Sequence, residues 1–90
     1  METMVLKVAA SSHPATVAGA IANNIREGKK VEIIAMGPQA VNQAVKAMAI
    51  ARDYLSDESI DLGCVPGFVH LTIDGEEKSA LKLTVIMLGT

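Results

Sequence analysis

Residues 31 to 55, VEIIAMGPQAVNQAVKAMAIARDYL, run from a short aliphatic stretch through Gly37-Pro38 into a long alanine-rich segment. This junction restricts the possible folds more than any other part of the chain. Val31, Ile33, Ile34 and Met36 favour a strand. Gly37 ends it, and Pro38 suits a first helical position, because its φ is already helical and the N–H it lacks would be unpaired there. Beyond it, Val41, Ala44, Val45 and Met48 fall at i, i+3, i+4 and i+7, continued by Ile50, Ala51 and Leu55, which predicts a core-facing helix. On its other side Gln39, Asn42, Gln43 and Lys46 repeat the spacing. A plain solvated helix face usually pairs Glu with Lys at i,i+4, whereas this stripe offers amide donors and acceptors and one cation near a helix N-terminus, where anions are favoured.

The segments on either side supply what this strand and helix must pack against. Met4, Leu6 and Val8 alternate with Val5, Lys7 and Ala9, predicting a first strand with one buried face. Ser11, Ser12 and His13 form the loop after it. Pro14 disfavours helical geometry at His13, which places His13 at the N-cap and Pro14 at N1 of a helix reaching about Glu27, with Gly28 as its terminator. Val17, Ala18, Ile21, Ala22 and Ile25 form its apolar stripe. Strand, helix and strand within about thirty residues make a βαβ unit, whose crossover is right-handed in about 98% of cases.

After the long helix, Ser56 to Ser59 reads as a polar acidic loop. Ile60 to Val65 begins a third strand that Pro66-Gly67 interrupts, a sign of an edge strand or a bulge. Val69, Leu71 and Ile73 then alternate with Phe68, His70 and Thr72, Asp74-Gly75 turns a hairpin, and Leu81, Leu83, Val85 and Met87 mark the last strand. The fold class is therefore α+β: a single domain over residues 1–90, a two-layer βαβαββ sandwich with two helices on one face of a four-stranded mixed sheet. The other face holds Val5, Ile34, Met36 and Ile86, more apolar than sheets usually present to water, and this predicts a homodimer or larger homo-oligomer.

Composition narrows the function classes. Eight basic and ten acidic residues give a net charge of −2, and a pI near 5.5 is far from that of a strongly basic nucleic-acid binder. Cys64 is the only cysteine, so neither a disulfide within the chain nor a CxxC site can form, and a reducing cytoplasm is expected. No apolar run approaches the ~20 residues that span a bilayer, so no membrane is expected. Ser11, His13 and His70 lack the framing of a nucleophile motif, and no cluster has metal-ligand spacing; no enzymatic activity, metal or cofactor is expected. The Ser11–His13 loop does combine hydroxyls, an imidazole and helix N-terminal N–H groups, a set that can hold phosphate.

KVAASSHPATVAGAIA, AMGPQAVNQAVKAMAIAR and TIDGEEKSALKLTVI together resemble the stage V sporulation protein S family over almost the whole chain. The central stretch also resembles the strand, loop and helix of Alba chromatin proteins. The resemblance implies an Alba-like fold and a role as a small nucleic-acid-binding or regulatory protein, tied in spore formers to sporulation. In such proteins the first loop and the hairpin arm face nucleic acid, which here implies Ser11, Ser12, His13 and Lys78, beside Asn42, Gln43 and Lys46 of the helix stripe. The arm is acidic here where those of DNA-wrapping Alba proteins are basic, so modest affinity for DNA or RNA is expected. A regulatory module that oligomerises and binds protein instead of nucleic acid is the competing reading.

Overall fold

In the computed structural model, which describes residues 1–89, the elements follow in the expected order. They are β1 (Thr3–Val8), α1 (Pro14–Arg26), β2 (Lys30–Ala35), α2 (Pro38–Leu55), a 3₁₀ turn (Ser56–Glu58), β3 (Asp61–Ile73) and β4 (Glu76–Leu88). The sheet order is β1-β2-β4-β3. β1 and β2 are parallel, while β4 runs antiparallel to both β2 and β3. Both helices cover one face, where Val31, Ile33, Ala35, Leu62, Leu83 and Val85 are buried.

Local chemistry explains the boundaries. His13 is the N-cap of α1, in extended geometry, and Pro14 follows it. At the other end Gly28 has φ +76°, its N–H donates to the Ile25 carbonyl and that of Lys29 donates to Asn24, the paired bonds of a Schellman motif. Asp74 and Gly75 both have positive φ, as a tight two-residue hairpin turn requires.

Two expectations need correction. β3 is not interrupted at Pro66-Gly67: its register with β4 is continuous from Asp61↔Leu88 to Ile73↔Glu76, with no bulge. As an edge strand it can turn the missing N–H of Pro66 toward its free side, without losing a ladder bond. The buried stripe of α2 is also rotated. Ala40, Ala44, Ala47, Met48, Ala51 and Leu55 are buried, Val41 is half-buried and Val45 is 54% exposed. With alanines turned inward, α2 lies close to α1, whose Ala18, Ile21 and Ala22 are fully buried.

Two arginine clamps close the end of the fold away from the first loop. Arg26 of α1 donates from Nε and Nη2 to Glu58 (2.8–3.1 Å), from Nη1 to Asn23 Oδ1 and from Nη2 to the Tyr54 carbonyl. Arg52 of α2 binds Asp61 at 2.7 and 3.2 Å, and the Leu62 N–H donates to the same carboxylate. Hydrogen bonds from the guanidinium groups hold both carboxyls below their ordinary pKa, with the Leu62 N–H adding to the effect at Asp61.

Gly37 enters α2 at φ +89°, ψ +157°, a region essentially restricted to glycine, although a Cβ there would meet open space. The constraint is thus conformational rather than one of close approach. Gly37→Val should cost about 1–3 kcal/mol and lower Tm in a thermal melt. The clamps predict acid sensitivity: a carboxyl depressed on folding stabilises the fold above its unfolded pKa, about 4, and loses that contribution as pH falls through the folded value. Glu58→Gln should therefore lower Tm at pH 7, and the gap from wild type should close on acidification below pH ~4.

Candidate nucleic-acid interface

Strand direction gathers three segments at one end of the molecule. β1 and β2 end there, and β3, antiparallel to β4, runs the same way. The loop of residues 9 to 13, the Gly37-Pro38 entry to α2 and the β3–β4 hairpin therefore share that end. β4 leaves β2 after the Ala35↔Leu81 pair, while β3 and β4 stay paired to the Asp74-Gly75 turn. This projects an arm about 17 Å beyond the four-stranded sheet, at ~3.4 Å per residue, and contributes to a longest dimension of 44 Å.

The first loop is held in shape. The Ser12 N–H donates to the Ala9 carbonyl at 3.0 Å, and the Ala9 N–H donates back to Ser12 Oγ at 2.9 Å. Gln43 Nε2 of α2 donates to the Ala10 carbonyl at 3.1 Å. That bond ties loop and helix together and sets Ser11, Ser12 and His13 on the same corner as Asn42 and Lys46. Ser11, His13, Asn42 and Lys46 are exposed, whereas Ser12 and Gln43 are half-buried. The His13 carbonyl accepts from the Thr16 and Val17 N–H groups, and its imidazole makes no capping bond. Among the described residues Lys46 has no carboxylate within 4.0 Å.

The seven expected residues thus divide. Six meet at the loop and α2, with Gln43 spending its amide donor on the scaffold. Lys78 shares the end but stands on the arm, its ammonium 4.0 Å from Glu76. Asp74, Glu76 and Glu77 keep the arm acidic, and on the neighbouring strand His70 Nδ1 lies 3.3 Å from Ser79 Oγ. Sequence reasoning missed the Ala10 carbonyl as the loop's anchor, since a backbone acceptor leaves no residue signature.

A concavity of about 610 Å³ lies elsewhere, at the C-terminal end of α2. Arg52 and Asp61 in its wall already bind each other. No group of three His, Cys, Asp or Glu side chains among the described residues could hold a metal ion. Cys64 is free and half-buried, and among the described residues no helix is long and apolar enough to cross a membrane. The family model described as Stage V sporulation protein S (SpoVS) matches residues 4–88.

Gln43→Ala should release the loop from α2 at a cost of about 0.5–1.5 kcal/mol, the usual net worth of such a bond. Amide exchange at residues 11 to 13 should quicken while exchange in β2 stays unchanged. Equal acceleration in both would mean that the bond supports the whole fold rather than the loop.

Proposed function

This chain belongs to the stage V sporulation protein S family, and we propose that it is a nucleic-acid-binding regulatory protein that uses the corner built by the first loop and α2. The observation that carries this reading is the Gln43–Ala10 hydrogen bond. It presents hydroxyls at Ser11 and Ser12, the His13 imidazole, the Asn42 amide and the Lys46 ammonium together, beside the N-terminal N–H groups of α1 and α2. Such donors suit phosphate and sugar oxygens. With one unpaired cation at the corner, binding is modest and weakly salt-dependent, and the acidic arm opposes wrapping of a duplex. Lys78 belongs to the interface only where the nucleic acid reaches the arm.

The reading includes a homodimer. Its support is exposed apolar surface: Phe68, 76% exposed on the helix side of β3, and Val45 on α2. The face first expected to associate, around Val5, Ile34, Met36 and Ile86, also carries lysines, and a different occupant suits it better.

Mobility shifts or fluorescence anisotropy with DNA and RNA across a salt series test the function. Lys46→Ala should weaken binding similarly for all sequences and reduce the log–log salt slope by about 0.9 on duplex DNA or about 0.7 on a single strand. If substitutions at Lys46 and His13 leave binding intact while Lys78→Ala reduces it, the arm is the site. Absence of binding at low salt would replace this reading with the protein-binding one.

A further inference from the structure

The sheet face not covered by helices segregates charge in a way the net charge hides. Alternation and register place Lys7 of β1, Lys30 of β2, and Lys78 and Lys82 of β4 on that side, with Glu32 and Glu76 as the acidic residues of the same rows. Asp61 also begins one of these rows. Four of the chain's eight basic residues therefore share a surface with three of its ten acidic ones, and of those three Asp61 is already held by Arg52. The other two acidic groups only partly neutralise the lysines: Lys82 lies 3.9 Å from Glu32 and Lys78 4.0 Å from Glu76. Lys7 has no carboxylate within 4.0 Å among the described residues.

Between the lysines the face is aliphatic. Val5, Val65 and Ile86 are 40–54% exposed, and Ile34 is half-buried. At its arm end the surface is also concave, because Leu71, Thr72 and Ile73 of the arm join Lys7, Ile34 and Met36 in lining one groove of about 340 Å³. Ala80, on this same side where the arm leaves the sheet, is 3% exposed.

We propose that this basic, aliphatic trough docks an acidic amphipathic segment of another protein. Its apolar side chains would cover Val5, Ile34, Val65 and Ile86, and its carboxylates would meet Lys7 and Lys82. Charge complementarity selects this occupant. A second copy packed face to face would oppose lysine-rich surfaces. Single-stranded nucleic acid would find no aromatic platform, since the only Phe and Tyr lie on β3's helix side and on α2. A flat anionic bilayer does not enter a concave groove. The size is also sufficient: the molecule measures 44 × 26 × 17 Å, so a broad face can bury the ~800 Å² per partner of a standard interface.

The probe is a synthetic 18-residue peptide with Leu at helical i, i+3, i+4, i+7 spacing and Glu elsewhere. Its controls are a scrambled peptide of the same composition and a version with Lys in place of Glu. Fluorescence anisotropy with the full chain should show binding of the acidic amphipathic peptide at least tenfold tighter than either control. Amide shift mapping should place it on β1, β2 and β4 rather than on α2. The double variant Lys7→Glu/Lys82→Gln should weaken binding at least tenfold with far-UV circular dichroism and Tm retained, while Lys46→Ala leaves it unchanged. If the double variant is unstable, Val5→Asp on the edge strand serves in its place.

Equal affinity for the scrambled peptide would overturn the proposal, as would shifts confined to the helices. So would binding of a dT20 oligonucleotide or of phosphatidylglycerol vesicles, with no peptide binding, that the same double variant abolishes. Sedimentation showing a dimer that the double variant dissociates would assign the face to a second copy instead. Because Lys46 and the first loop take no part, failure here leaves the nucleic-acid reading standing, and the reverse holds.

Discussion

The whole arrangement depends on how closely α2 can approach α1 and the sheet. With one Phe, one Tyr and no Trp in ninety residues, the core cannot be filled by a few large rings. It is filled by bringing backbones together over alanine. Ala40, Ala44, Ala47 and Ala51 recur at helical spacing and are 0–3% exposed, facing the fully buried Ala18, Ile21 and Ala22 of α1. In such close packing a larger side chain has no room to relax, so a methylene added at Ala44 or Ala47 would push the helices apart. The larger residues, Ile33, Leu55 and Leu62, are buried along the sheet and toward the C-terminal end of α2.

The same packing decides which polar groups remain available to a ligand. Because α2 turns its alanines inward, Gln39, Asn42 and Lys46 are left outward and Gln43 falls at the boundary, where it reaches the Ala10 carbonyl. Cations at the far end are committed differently. Arg26 and Arg52 hold carboxylates and tie α1, α2 and β3 together, so the strongest cationic hydrogen-bond donors of the chain serve the scaffold. What that leaves at the corner of the first loop and α2 is one lysine and a set of neutral donors, the inventory on which the proposed modest, weakly salt-dependent binding rests.

Local rules made most of the fold legible in the sequence. The proline at each helix start, Gly28 at a helix end and the Asp74-Gly75 turn each act within a few residues, and each marks a boundary found in the structure. The family resemblance found on the same residues agrees with the matched family over residues 4–88. Less legible were features that depend on distant partners. Pro66 reads as an interruption in isolation, but the free edge of β3 absorbs it. The 41/45 flank of α2 is as apolar as the 40/44 flank on paper, and only the proximity of α1 decides between them. The loop and the helix stripe were visible separately, while the bond that unites them uses a backbone carbonyl.

Charge distribution follows the same logic of long-range pairing. Lys7, Lys30, Lys78 and Lys82 lie far apart in sequence and look scattered, yet parallel pairing of β1 with β2 and antiparallel pairing of β2 with β4 bring them to one side of the sheet. Of the remaining charges, four are basic and seven acidic, and three of those acidic residues, Asp53, Asp57 and Glu58, cluster where α2 ends. A molecule with a net charge of −2 is therefore dipolar across its thickness. An approaching polyanion would be drawn to the sheet side at long range, where screening at physiological salt acts over ~8 Å. Short-range donors, by contrast, are concentrated at the loop and α2. A partner that carries both carboxylates and aliphatic side chains satisfies the sheet face at both ranges, and a bare phosphate chain would satisfy it only at the first.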